Sequence, residues 1–321
     1  MMDLKIEPSQ EEKDEIISGL TKIIPEISPK YFYDSTGSQL FEEITQLVEY
    51  YPTRSEKAIF AKHGEDIAAQ IGADCVLIEP GAGSCEKAKQ LCELIQPSQF
   101  LAIDISRDFL QESAEMLRRH FPSLPIDILV ADLGSPIQIP IEFPSSKRLV
   151  FYPGSSLGNF HPQQATELLS RFHELLDADG ALLIGVDLQK EKAILEAAYD
   201  DQTGITAEFN RNILSHINHL ISSDFDLSDW KHVAFFNAAE SRIEMHLQAI
   251  RDCQVCWPGG GRLFREGMRI HTENSYKYTR ESLLQLLKNA GFSEAQIWLD
   301  DNQWFAVVLA RPDVTIHGIH S

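Results

Sequence analysis

Cys75-Val76-Leu77-Ile78-Glu79-Pro80-Gly81-Ala82-Gly83-Ser84 sets the architecture of this chain. Cys75 to Ile78 is a short apolar run, the signature of a strand buried on both faces. The Gly-Ala-Gly turn comes next, and residues 86–95 have helical spacing. Phe100-Leu101-Ala102-Ile103-Asp104 is a second apolar strand closed by a carboxylate. A third strand is expected over 126–130, with Asp132-Leu133 just past its end. Strand, glycine loop, helix, strand, acid, helix, strand, acid is the order in which a doubly wound α/β domain presents a nucleoside site at the carboxyl ends of its strands.

The glycines serve a physical purpose, since only Gly tolerates positive φ readily and lets a ligand touch backbone. Asp104 is placed to accept from a ribose diol, and Asp132 lies where an adenine amino group is expected. The loop also excludes ligands. Glu86 stands where a dinucleotide fingerprint requires a third Gly, and no G-x-x-x-x-G-K-[ST] run occurs. Glu79 before the loop, Gly81, Gly83 and an acid on the next strand suit S-adenosylmethionine. That ligand carries a sulfonium, an amino acid tail and no phosphate. Carboxylates near the loop favour the cation, and Lys87 can pair with the tail carboxylate.

The 321 residues allow one large domain or two ordinary ones. With 48 acids against 28 bases the net charge is −20. Such a surface repels phosphate backbones and anionic lipid, so nucleic acid and membrane are not expected partners. No apolar run approaches the roughly 18 residues of a spanning helix. Residues 1–7 contain no secretory apolar core, which points to the cytoplasm. The five cysteines read as reduced thiols. Cys253-x-x-Cys256 lacks the companion ligands of a zinc site, and the eleven histidines form no H-E-x-x-H pattern, so no metal is expected.

Further along, residues 1–20 read as an amphipathic helix, 28–38 as an aromatic turn region and 39–49 as a helix. Thr53 with Glu56 reads as a capping box opening the next helix. Residues 148–153 form a fourth strand ending in the loop Gly154-Ser155-Ser156-Leu157-Gly158-Asn159-Phe160. A helix over 162–176 and a fifth strand over 181–186 follow. Residues 188–230 look helical and polar, 233–237 and 241–249 alternate as strands, and 271–277 read as a polar junction. A helix over 280–290 and strands at 296–299 and 304–310 close the chain, the usual antiparallel end of a methyltransferase sheet. The expected division is 61–190 plus 280–321 for the S-adenosylmethionine domain, and 1–60 plus 191–279 for an inserted lobe.

Phe32-Tyr33-Asp34-x-x-Gly37-Ser38-x-Leu40-Phe41, Glu49-Tyr50-Tyr51-Pro52-Thr53-Arg54, the 154–160 loop, Ser241-Arg242-Ile243-Glu244-Met245 and Glu273-x-Ser275-x-Lys277-Tyr278 together resemble the histidine N-alpha-methyltransferases of ergothioneine biosynthesis. The resemblance runs in order along nearly the whole chain. It implies a Rossmann-like class I S-adenosylmethionine-dependent methyltransferase fold with an inserted α+β substrate-binding lobe, acting as a monomer without metal. The implied reaction is three successive methyl transfers to the α-amino group of L-histidine, giving hercynine. The match extends to cofactor positions Gly81, Lys87, Asp104, Asp132 and Leu133, to which the loop reading adds Glu79 and Gly83. Asn159 and Tyr199 match the pair holding the substrate's carboxylate and amino end, with Gly154 in the same loop. Tyr33 and Tyr50 match aromatics around the amino acid, and Met245, Glu273 and Ser275 match the pocket that reads the imidazole. Tyr33 is the candidate proton acceptor, and Asn159 the second candidate catalytic group. Pro80 departs from the family, which has Leu there; it removes one backbone donor. The alternatives are an N-methyltransferase for tyrosine or tryptophan, or a non-catalytic S-adenosylmethionine-binding protein.

Overall fold

The computed structural model describes residues 9–140, 143–144 and 147–313. The start of the helix expected over 1–20, and the 1–7 segment read for a leader, lie outside the described residues. Two compact units result. One comprises Tyr51–Lys190 and Tyr276–Ser321, the other Met1–Tyr50 and Glu191–Ser275.

In chain order the elements begin with α1 (Gln10–Thr21), α2 (Ser35–Gln46), α3 (Tyr51–Ile71), β1 (Val76–Pro80), α4 (Glu86–Ile95), β2 (Gln99–Asp104), α5 (Arg107–His120) and β3 (Ile126–Val130). Then come β4 (Arg148–Tyr152), α6 (Pro162–Glu174), β5 (Ala181–Asp187), α7 (Lys192–Ala197), α8 (Ile205–Ile221), β6 (Trp230–Asn237) and β7 (Arg242–Ala249). The last are β8 (Cys253–Trp257), β9 (Gly260–Phe264), β10 (Arg269–Tyr276), α9 (Arg280–Asn289), β11 (Phe292–Leu299) and β12 (Phe305–Pro312).

The first unit is built on a sheet of order β11-β12-β5-β4-β1-β2-β3. Strands β1 to β5 pair in parallel, while β12 runs antiparallel to β5 and β11 to β12. Side-chain alternation splits the core in two. Val76, Ile78, Val150 and Tyr152 pack with Leu168 and Phe172 of α6 and Leu283 of α9. Leu77, Leu149 and Phe151 pack with Ile59 of α3, Leu91 of α4 and Leu110 of α5. Burial on both faces explains why these strands read as continuous apolar runs. The chain leaves β1 toward β2 and β3, then returns to β4 on the other side. The crevice outside the carboxyl ends of β1 and β4 is therefore the topological switch point, where this architecture places ligands.

The second unit carries a sheet of order β10-β7-β6 and the hairpin β8–β9. Helix α8 packs on α1, α2, β6 and β7. Its buried Phe209, Ile213, Leu214, Ile217 and Ile221 recur at three- and four-residue spacing, one apolar face of a helix.

Several expectations need correcting. Thr53 and Glu56 do not cap a helix: α3 already starts at Tyr51, and Glu56 is buried inside it. Helix α2 starts at Ser35, four residues early, because the Asp34 side chain accepts from Gly37 N–H at 2.7 Å. The 188–230 stretch holds the two separate α-helices α7 and α8, a 3-10 turn at Leu227–Asp229 and the first residue of β6. The polar junction at 271–277 is mostly strand, since β10 runs to Tyr276. Its polar side chains hide it from a reading based on apolar runs. The unit boundaries fall at 50/51, 190/191 and 275/276, whereas the sequence suggests 60/61 and 279/280 for the first and last. Continuous α3, and the bridge of Leu188 to Tyr278, tie both flanks to the sheet unit.

Candidate active site

The glycine loop follows β1 as expected. Gly81 and Gly83 have φ of +71° and +52°, values open to glycine at little cost. A Cβ on Gly83 would meet nothing within 4 Å, and one on Gly81 would come no nearer than 3.7 Å to Leu133. The loop thus leaves room over its backbone and brings Leu133 alongside it. Asp104 fixes the loop from the next strand: its carboxylate accepts from Gly83 N–H at 3.0 Å and Ser106 N–H at 2.9 Å through separate oxygens. Each oxygen keeps a further lone pair for a hydroxyl. Burial raises the Asp104 pKa, and the backbone N–H groups oppose that rise. Asp132 accepts from Gly134 N–H at 2.7 Å, turning the chain after β3.

Burial works against the anion expected at Glu79. That residue is buried, and burial lifts its pKa well above the carboxylate range, with Lys87 opposing the rise and Asp104 and Glu56 adding to it. Its Oε2 has no hydrogen-bond partner among the described residues. In its protonated form this carboxyl offers a donor as well as an acceptor beneath the loop. An orphaned buried oxygen, an open Gly-Ala-Gly turn and a ribose-type acid fit the nucleoside and amino acid tail of S-adenosylmethionine.

Lys87 pairs with a residue that sequence reasoning misread. Its Nζ lies 2.8 Å from Glu56 Oε2, while Gly154 N–H donates to Glu56 Oε1 at 2.8 Å. Gly154, with φ +79°, opens the loop after β4. Asn159 ends that loop on a 3-10 turn, half-buried. Deeper, at the end of β5, Asp187 is fully buried. It accepts from Tyr51 Oη at 2.6 Å, pairs with Lys277 at 2.7 Å and with Lys190, and its own N–H donates to Ser155 Oγ at 2.8 Å. Burial would raise the Asp187 pKa, but the two ammonium groups overcome it and the pKa is lowered. Burial brings Lys190 down to about 8. Asp187 has the signal that flags Asp104, an acid closing an apolar strand, but nothing in the sequence names its partners.

In the second unit Tyr199 Oη and Ser275 Oγ share a hydrogen bond of 2.7 Å. The Tyr50 and Tyr199 rings meet edge-to-face at 6.3 Å. Phe41 links Tyr50, at 6.3 Å, to Tyr33, at 5.8 Å, and Phe209 of α8 lies 6.0 Å from Tyr33. The expected aromatics therefore form one chain of rings, with Tyr33 half-buried and Tyr50 and Tyr199 buried. Glu273 and Ser275 lie on β10 and Met245 on its neighbour β7, all buried. Glu244 and His246 of β7 are a further buried pair, Nε2 to Oε2 at 3.1 Å. Burial drives His246 down to about 4, and its Nδ1 has no partner among the described residues.

The family described as histidine-specific methyltransferase, SAM-dependent, matches residues 12–312. The chain belongs to that family. The Histidine N-alpha-methyltransferase of Mycolicibacterium smegmatis is 36% identical over 304 residues, covering 92% of this chain and 93% of that protein. Ergothioneine biosynthesis protein 1 of Neurospora crassa is 30% identical over 298 residues, 90% of this chain but 33% of that longer protein. Among solved structures, one titled as a possible exported protein from Bordetella parapertussis covers 94% of this chain and 87% of its own, at a TM-score of 0.51 and 12% identity. That last likeness concerns the fold alone. Among the described residues no cluster of His, Cys, Asp or Glu suits a metal ion, and no helix is long and apolar enough to cross a membrane.

Proposed function

We propose that this protein transfers three methyl groups in succession from S-adenosylmethionine to the α-amino group of L-histidine, giving hercynine on the route to ergothioneine, in the cytoplasm. The observation that carries the reading is the alignment with Histidine N-alpha-methyltransferase over 92% of the chain, joined to the buried Tyr199–Ser275 pair and the adjacent Glu273.

Gly81, Gly83 and Leu133 bed the donor. Asp104 accepts its ribose hydroxyls, Asp132 its adenine amino group, and Glu79 and Lys87 address its amino acid tail. Tyr50, Gly154, Asn159 and Tyr199 hold the amino acid, while Met245, Glu273 and Ser275 read its ring. A carboxylate facing an imidazole N–H favours side chains that bring that donor over those that lack it. The donor supplies an electrophilic methyl carbon; this chain's residues align a neutral nitrogen with it, and alignment is the main source of rate. An ammonium has no lone pair, so each step needs a proton acceptor, for which Tyr33 is the candidate. The growing methylated nitrogen becomes a fixed cation in the third step, and the tyrosine rings suit it.

The test is to incubate purified protein with S-adenosylmethionine and each of the twenty amino acids separately, and to count S-adenosylhomocysteine released per amino acid consumed. The reading requires three per histidine and background for the rest. Turnover with tyrosine or tryptophan but not histidine contradicts it.

A further inference from the structure

The geometry points to Glu56 as a positioning residue that couples the donor side of the site to the loop after β4. The inference rests on the roles proposed above for Lys87 and Gly154. One carboxylate is engaged at both ends: Oε2 with Lys87 Nζ at 2.8 Å, Oε1 with Gly154 N–H at 2.8 Å. Its side chain is 4% exposed and that of Lys87 31%, so the acid end of the pair is withdrawn from the solvent that screens surface ion pairs while the ammonium stays within reach of it.

Two glycines make the arrangement possible. A Cβ on Gly185 would stand 2.1 Å from Glu56 Oε1, and one on Gly154 would stand 2.6 Å from Lys87 Nζ. Both distances are too short for any real side chain, so Gly185 admits the carboxylate and Gly154 admits the ammonium. Glu56 is reached from α3, far in sequence from the glycine loop and from β4. A helix needs no buried acid at this position for its own sake, since a charge out of water is costly unless paired. Here the pairing joins two ligand-facing segments. Movement of Lys87 toward the donor's carboxylate draws on the same acid that fixes Gly154, so occupation of one segment alters the other. The coupling is reciprocal, as any linkage between two binding equilibria must be.

The test measures L-histidine affinity by calorimetry with and without saturating S-adenosylhomocysteine, in wild type, Glu56→Gln, Glu56→Ala and Gly185→Ala. In the wild type the product of the donor strengthens histidine binding at least fivefold. Glu56→Gln keeps an acceptor for Gly154 but loses the ion pair; it weakens S-adenosylhomocysteine binding tenfold or more and abolishes the coupling, with histidine alone bound as before. Glu56→Ala weakens both ligands. Gly185→Ala, which leaves Glu56 in place but displaces its carboxylate, reproduces the lost coupling, so the result does not hang on one variant. A general loss of stability cannot remove coupling while sparing histidine affinity. Unchanged coupling in Glu56→Gln, or none in the wild type, overturns the inference while leaving the proposed function standing. A wild type that binds neither ligand overturns both.

Discussion

Asp104→Asn is the most informative substitution on the donor side. Both carboxylate oxygens already accept a backbone N–H, from Gly83 at 3.0 Å and Ser106 at 2.9 Å. An amide has one acceptor oxygen, so its NH2 must face one of those N–H donors. The charge available to a ribose diol is lost as well. A hydrogen bond to a charged group contributes about 1.5–3 kcal/mol. At 1.36 kcal/mol per decade, losing one such bond weakens S-adenosylhomocysteine binding by roughly 10- to 150-fold. Leaving a half-buried N–H unsatisfied costs a further part of the roughly 1–3 kcal/mol that a fully buried one would. Calorimetry with S-adenosylhomocysteine, adenosine and methionine separates the parts. Affinity for the whole molecule and for adenosine falls, and methionine binding is untouched. Unchanged adenosine affinity would refute the assignment of Asp104 to the ribose.

Other outcomes follow from the same structure. Glu273→Ala raises the histidine KM at least tenfold and narrows the preference over phenylalanine and tyrosine, read by steady-state kinetics with each amino acid. Asp187→Asn leaves Lys190 and Lys277 facing a neutral amide. Breaking a buried pair costs about 3–5 kcal/mol, which for a unit of this size lowers the thermal midpoint by roughly 6–20 °C, checked by calorimetric scanning. Burial pushes the His246 pKa down from its ordinary 6.5 to about 4, with the neighbouring His271 adding to the fall and Glu244 opposing it. Between those values the unfolded chain binds the extra proton, so stability present above pH 6.5 is lost as pH falls toward 4, by at most about 3 kcal/mol. His246→Phe keeps the stack on Phe235 and removes that loss, as urea unfolding at pH 7 and pH 5 will show.

The sheet unit can be read from the chain because β1, β2, β4 and β5 are buried on both faces and appear as apolar runs, with Glu79 and Asp104 at the ends of the first two and Asp132 just past the half-buried β3. Helix α4 and strand β3 fall where spacing places them. The second unit resists the same reading. Strand β10 carries His271, Thr272, Glu273, Asn274 and Ser275, whose polar side chains are satisfied by tertiary partners such as Tyr199 and Asn210. No periodicity announces such partners. Glu56 escapes for a related reason: Thr53 three residues before it imitates a cap, and only the fold reveals that its carboxylate meets Lys87 and Gly154, 31 and 98 positions further along the chain. The aromatic residues Tyr33, Tyr50 and Tyr199 stand out only through motif order, since singly each looks like ordinary core. The structure groups them in one chain of rings.

The claim on which all this depends concerns a single nitrogen. L-Histidine should be incubated with the purified protein and S-adenosylmethionine carrying a 13C-labelled methyl group, and the product examined by NMR. The account predicts one resonance for three equivalent methyl groups, correlated with the α-carbon proton and with an unmodified imidazole. Label on a ring nitrogen, a product stalled at one methyl group, or no label in histidine at all would contradict it.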